Sequence, residues 1–382
     1  MSDPESHGTE PAATQIQPST TPKPNQRPVI PLFYFPYGRP LSAVEIDMAC
    51  RDVRMALNDI SGDVLGVEDF ITLAHACSLP GCFKTALFAA AGGRKDRPVT
   101  KERFCRYYSH LVANFPEENS RAVHVLAPDR DYLVIEDLHS IFVDFFEMHP
   151  KMNFLQKTPQ FREPYVNVAL TKYFFYASRT WKNMLSIRDL RDSQLLPSLR
   201  VMEETAELDP SNDVFSFGSF YVTYAIFEGL DRDRDGMLSP EEIKNFQGGA
   251  FTNRGLDRIL CSAVVKRVNA RQMMSLQDFV VFHVVESNKG LPKSVEFWFH
   301  CLDFDGDGFI TVYDMQYLYE DKRRIVERHF PCCDFTEVAH EIFERVKPKK
   351  PQFITVSDLK KCDTSVVCMI VNTFMLVPMT VR

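Results

Sequence analysis

Past its first stretch, the chain alternates runs of helical hydrophobic periodicity with one short, repeated pattern of apolar and polar positions. Residues 1–28 (MSDPESHGTEPAATQIQPSTTPKPNQRP) hold almost no large apolar side chain, so burial cannot offset chain entropy and a disordered tail is expected. Residues 29–40 (VIPLFYFPYGRP) set four aromatics among prolines, too apolar for a free linker, and are expected to dock as an extended arm on this protein or on a partner. From Leu41 onward the repeated pattern is an apolar residue, a Ser, Thr or other small residue, two variable positions, an acid and a large apolar residue. It runs from Leu65 to Asp69-Phe70, Leu133 to Asp137-Leu138, Leu185 to Asp189-Leu190, Leu238 to Glu242-Ile243, Met274 to Asp278-Phe279, Ile310 to Asp314-Met315 and Ile354 to Asp358-Leu359. An eighth copy begins at Val99-Thr100 and ends in Arg103-Phe104. The leading apolar residues follow one another at steps of 34, 34, 52, 53, 36, 36 and 44, the spacing of an internal helix-loop-helix repeat. Eight units predict four pairs, over residues 41–110, 111–205, 206–290 and 291–382.

Two of the eight copies close a complete calcium loop. In the first, Asp231, Asp233 and Asp235 place carboxylates at positions 1, 3 and 5, Met237 offers its backbone carbonyl at 7, Ser239 stands at 9 and Glu242 closes at 12. Gly236 at position 6 permits the sharp turn. A hard cation that takes six to eight oxygens at roughly 2.3–2.6 Å needs such a ring of donors, and the match to the EF-hand pattern is complete. The second loop carries Asp303, Asp305 and Asp307 at positions 1, 3 and 5, Phe309 at 7, Thr311 at 9 and Asp314 at 12. Asp314 is one methylene shorter than the usual Glu, which predicts a site weaker for calcium or more tolerant of magnesium. Position 8 is where two loops exchange a short β-bridge, so Leu238 is expected to meet Met274 and Ile310 to meet Ile354. The partner loops, Arg267 to Asp278 and Lys347 to Asp358, lack carboxylates at positions 1, 3 and 5, so each calcium loop is expected to lean on a ligandless one. The fold class that follows is mainly α, an elongated array of paired EF-hand units with short β-bridges between loops.

Aromatic residues cluster in the helices before both loops: Phe215, Phe217, Phe220, Tyr221, Tyr224 and Phe227 before the first, Phe297, Trp298 and Phe299 before the second. Spacings of three and four put most on one face, where core packing is the expected role. With a net charge of −7 and pI near 5.8 the chain lacks the basic stripe of a nucleic-acid binder. Ten scattered cysteines with no CxxC pair suggest reduced thiols and a cytoplasmic, nuclear or cytoskeleton-associated protein. Residues 364–381 carry no charge and reach the roughly 18-residue length of a membrane span, but Asn372, Thr373 and Pro378 favour a docked terminal helix over a tail anchor.

Other constellations are weaker. Ala89-Ala-Ala-Gly-Gly-Arg-Lys95 lacks the spacing of a phosphate loop and reads as a glycine-capped helix end. His329, Cys332, Cys333 and His340 make poor zinc ligands, since adjacent cysteines do not easily share a tetrahedral ion. Lys322-Arg-Arg324, Lys347, Lys349-Lys350 and Lys360-Lys361 read as solvated faces, with an acidic partner surface as the other reading. No nucleophile–base pair or cofactor turn nominates catalysis.

The run Phe220-Tyr-Val-Thr-Tyr224 and the stretch Ser294-Val-Glu-Phe-Trp-Phe-His-Cys-Leu-Asp-Phe-Asp-Gly-Asp-Gly308 resemble the B-double-prime regulatory subunits of protein phosphatase 2A. The likeness extends through Asp131-Tyr-Leu-Val-Ile-Glu-Asp137, His149-Pro150, Phe154-Leu155 and Arg179-Thr-Trp181, and on through Val346-Lys-Pro348, Ile354-Thr355 and Asp358-Leu-Lys-Lys-Cys362. The resemblance implies a non-catalytic subunit that binds the scaffold and catalytic subunits of the phosphatase, selects phosphoprotein substrates and answers to calcium through the two ligand sets named above. A free-standing EF-hand calcium sensor or buffer is the alternative, and an enzyme the third.

Overall fold

The computed structural model describes residues 35–94, 96–208, 212–261, 272–329 and 334–378. The 1–28 tail, residues 29–34 of the aromatic arm, Lys95, residues 267–271 of the first ligandless loop, and Cys332 and Cys333 of the zinc constellation lie outside them. The described residues from Tyr37 onward form one compact unit.

Five of the eight repeats fold for the same local reason. Their Ser or Thr is the N-cap of the following helix, and the acid three residues later turns back to bond the cap's own amide, a capping box. Ser186 with Asp189, Ser239 with Glu242, Ser275 with Asp278, Thr311 with Asp314 and Thr355 with Asp358 all form it. Two earlier copies keep half of it: the Gly66 amide donates to Asp69 Oδ2 at 2.7 Å and the Val134 amide to Asp137 Oδ2 at 2.7 Å. Thr100 caps its helix from the Arg103 amide, with no acid to reply. The apolar residue before the cap and the one after the acid occupy the positions of a hydrophobic staple. All eight such couples, from Leu65 with Phe70 to Ile354 with Leu359, are buried.

The stapled residue before each cap also carries the ladder. Eight two-residue strands, β1 (Val64–Leu65), β2 (Val99–Thr100), β3 (Tyr132–Leu133), β4 (Leu185–Ser186), β5 (Met237–Leu238), β6 (Met274–Ser275), β7 (Ile310–Thr311) and β8 (Phe353–Ile354), pair in order and antiparallel. The registers are Leu65 opposite Val99, Leu133 opposite Leu185, Leu238 opposite Met274 and Ile310 opposite Ile354. Both calcium-type loops therefore sit against ligandless partners.

The buried side chains form two clusters, one dominated by the first two pairs and one by the last two. Helix Pro159–Ala177 joins them, since Phe175 near its end belongs to the second cluster while Tyr165 to Phe174 belong to the first. Beyond it, Trp181 Nε1 donates to Glu296 Oε2 at 2.9 Å and Lys293 Nζ to the Phe175 carbonyl at 3.0 Å. Of the aromatic run before the first loop, Phe215, Phe220 and Phe227 are buried, whereas Tyr221 is 51% exposed on the outer face of Phe217–Leu230.

At the arm, Tyr37 docks on this chain. Its hydroxyl donates to Asp131 Oδ2 at 2.9 Å, its carbonyl accepts from the Glu117 amide at 3.1 Å, and its ring meets Phe115 and His124 edge-on. At the other end, helix Thr364–Phe374 buries Val367, Ile370, Val371 and Phe374 in the second cluster. Among the described residues no helix is long and apolar enough to cross a membrane. The Ala89 region is a helix end, with the Gly92 and Gly93 amides returning to the Ala89 and Phe88 carbonyls at 2.9 Å each. The eight cysteines among the described residues are free, and burial pushes the Cys77, Cys82 and Cys301 thiols up.

Because Ser275 caps helix Leu276–Ser287, Ser275→Ala is expected to lower stability by about 1 kcal/mol. Chemical denaturation reads this, and an unshifted midpoint would show that the Ser275–Asp278 box does not stabilise that helix end.

Candidate metal centre

The first candidate loop begins where helix Phe217–Leu230 ends, with the Asp231 amide on the Phe227 carbonyl at 2.9 Å. Asp231 is only 7% exposed, and its Oδ2 accepts from the Gly236 amide at 3.0 Å. Its Oδ1 is buried and has no hydrogen-bond partner. A buried carboxylate oxygen left unpaired costs free energy on the order of 1–3 kcal/mol, so a cation is the missing neighbour that the local chemistry suits. Asp233 Oδ1 accepts from the Asp235 amide at 3.2 Å and Asp235 Oδ1 from the Met237 amide at 2.8 Å. These turns bring oxygens of Asp231, Asp233 and Asp235 within 4.8 Å of one another. Glu242 closes the ring: Oε1 accepts from the Arg232 amide at 2.8 Å, and Oε2 from the Ser239 amide and hydroxyl at 2.9 and 2.7 Å. The Ser239 amide, with its hydroxyl, holds the Glu242 carboxyl below the usual carboxylate range against the opposing effect of burial. The Ser239 hydroxyl is engaged in the cap, donating to Glu242 Oε2 and accepting from the Glu242 amide at 3.4 Å.

The second loop repeats this with glycines where strain would otherwise fall. Asp303 is 2% exposed and accepts from the Gly306 amide at 2.9 Å and the Gly308 amide at 3.0 Å, one on each oxygen. Asp305 and Asp307 accept from the Asp307 and Phe309 amides at 3.2 and 2.8 Å, and oxygens of Asp303, Asp305 and Asp307 also lie within 4.8 Å of one another. Burial pushes the Asp303 carboxyl up despite the two glycine amides, and Asp307 and Asp314 push the same way. Asp314 spans the loop with its shorter side chain, accepting from the Phe304 amide at 3.1 Å and from the Thr311 amide and hydroxyl at 2.8 and 2.6 Å. The corresponding Glu242 contact across the first loop is 2.8 Å.

Position 4 separates the loops. It is Gly306 at φ +75° in the second and Arg234 at φ +59° in the first. A side chain in the left-handed region costs roughly 1–2 kcal/mol.

One residue invisible to sequence reasoning supports the second loop. Arg258, on helix Asn253–Leu260, donates to the carbonyls of His300 at 2.7 Å, Cys301 at 3.2 Å and Asp303 at 2.8 Å, and its guanidinium lies over the Phe304 ring. It therefore caps the C-terminus of helix Pro292–Leu302 where that helix hands over to the loop. No local motif announces it, because its partners lie more than 40 residues away.

Fold and loops together define an EF-hand protein. Family models agree: an EF-hand domain matches residues 117–205 and an EF-hand domain pair matches residues 220–320. Among curated proteins, the chain is 30% identical over 337 residues to the human beta form of the B'' regulatory subunit of serine/threonine-protein phosphatase 2A, covering 87% of this chain and 59% of that protein. The mouse delta form is 31% identical over 338 residues, covering 87% and 69%, and the human alpha form 31% over 337 residues, covering 87% and 29%. A solved chain from a PP2A PR70 holoenzyme superposes at TM-score 0.61 with 29% identity, covering 68% of this chain and 97% of that one. This chain belongs to the B'' family of protein phosphatase 2A regulatory subunits. Its relatives are named regulatory, not catalytic, subunits, and its EF-hand domains imply calcium binding.

Arg234→Gly is expected to raise calcium affinity at the first loop a few-fold, since it removes a cation beside the site. Calorimetric titration measures it; unchanged or weaker binding would show that Arg234 is not a handicap.

Proposed function

We propose that this chain is a non-catalytic, calcium-binding regulatory subunit that joins the scaffold and catalytic subunits of protein phosphatase 2A and directs their choice of phosphoprotein substrates. Calcium binds Asp231, Asp233, Asp235, the Met237 carbonyl, Ser239 and Glu242 in one loop. It binds Asp303, Asp305, Asp307, the Phe309 carbonyl, Thr311 and Asp314 in the other. The observation that carries the metal assignment is the unpartnered, buried Asp231 oxygen inside a ring of three aspartates. Support for the subunit role is family membership, although the chain spans only 59% and 29% of the human beta and alpha forms.

In this reading the ions fix the angle between the helices on either side of each loop, and so the surface those helices offer. Control by calcium requires the ion to favour the assembled arrangement, typically by about 1–3 kcal/mol.

Calorimetric calcium titration is expected to show two binding events, with Asp231→Ala and Asp303→Ala each removing one. Pull-down of the tagged chain, with and without a chelator, is expected to recover scaffold and catalytic subunits. Two binding events with amphipathic-helix partners and no phosphatase subunit would instead make the chain a free-standing calcium sensor. Asp314→Glu is expected to strengthen calcium at the second site several-fold and to reduce competition by magnesium, because the longer carboxylate reaches the ion with both oxygens. Equal magnesium competition in the variant would place the selectivity elsewhere.

A further inference from the structure

We propose that the ligandless loop Lys347 to Asp358 is a docking site for an acidic segment of a partner protein. The proposal stands on the loop's geometry and goes beyond the phosphatase reading.

In a calcium loop, positions 1 and 3 carry carboxylates. Here those positions are Lys347 and Lys349, with Lys350 beside them, so the charge of the rim is inverted. The loop nevertheless stays closed. A tight turn bridges Lys350 to Phe353 with Pro351 as its first central residue, and the Lys349 amide faces Asp358 Oδ1 at 3.5 Å. A proline turn and a carboxylate thus do the work an ion does next door, and the three lysines stand on a preformed frame.

All three are exposed. Nearby cations are paired, Arg345 with Glu341 and Lys360 with Glu296, whereas among the described residues no acidic side chain pairs with Lys347, Lys349 or Lys350. Beside them lies an apolar step. Lys350 Nζ sits 5.2 Å from the centre of the half-buried Phe353 ring, and Phe353 packs at 4.2 Å on Phe309, which is 37% exposed. Fixed cations next to an aromatic shelf fit a peptide that carries glutamate or aspartate together with an apolar side chain. A membrane surface fits less well, since polybasic attachment uses clusters of roughly four to eight cations. A nucleic acid is disfavoured by the net charge of −7.

The test is fluorescence anisotropy on the full chain, with and without saturating calcium so that the peptide result is readable whatever the calcium sites do. The probes are a labelled octapeptide of six glutamates and two leucines and its lysine counterpart. The acidic peptide should bind in a salt-dependent manner and the basic one should not. Lys349→Glu with Lys350→Glu should weaken the acidic peptide about tenfold, and the double alanine variant by less. Unaltered circular dichroism of both variants excludes unfolding as the cause. Equal binding of the two peptides, or an acidic-peptide affinity unmoved by charge reversal, would overturn the proposal. So would binding to phosphatidylserine vesicles without binding to the peptide.

Discussion

The structure depends on one interaction made again and again: a carboxylate that reaches back three residues to the amide of its own helix cap while an apolar residue on either side is driven into the core. Because that closure is covalently local and needs no metal, a loop survives the loss of its calcium ligands. The chain exploits this freely. In Ser275 with Asp278 and Thr355 with Asp358 the box remains although positions 1, 3 and 5 hold no acid. The residue that leads the box, at loop position 8, is buried by the staple and bridged to its partner loop, so cap, core and pairing are one constraint rather than three.

That constraint explains why the register was legible in the sequence. Once the Ser or Thr and the acid three residues on are aligned, the residue ahead of them must be the bridged one, and Leu238 opposite Met274 follows, as does Ile310 opposite Ile354. The aspartates of the two acidic loops were legible for a different reason, since their spacing is dictated by the coordination sphere of a hard cation. The aromatic run was read only in part. Phe220 and Phe227 are seven apart and buried, while Tyr221 follows Phe220 by one residue and so points about 100° away from it, toward solvent. What could not be read were contacts between units. Arg258 on the cap of another helix and Trp181 on Glu296 depend on how whole helices dock, and no short-range pattern encodes that.

One of those unread contacts, that of Arg258, links the pairs that hold the two acidic loops. The domain-pair likeness spans residues 220–320 and so contains both, yet the ladders separate them, each bridged to a ligandless loop. Helix Asn253–Leu260 supplies the missing connection. It precedes the ligandless partner of the first acidic loop, and through Arg258 it grips the carbonyls that open the second. A change of helix angle in one pair therefore bears on the backbone of Asp303 in the other.

The second acidic loop also faces a charge contrast across its ladder. It carries four aspartates and no cation, whereas its bridged partner begins with three lysines in four positions. Without an ion, part of the lysines' field is spent on those aspartates across the Phe309–Phe353 contact. A divalent cation cancels two of the four negative charges. In bulk water, two unit charges removed from about 10 Å away shift the energy of a unit charge by about 0.8 kcal/mol before salt screening, which sets the scale such an effect could reach. That is small beside a folded-state energy and large enough to change an affinity a few-fold. A divalent cation held in the second loop would therefore be felt at the neighbouring lysine surface through its field alone, with no movement of the backbone required.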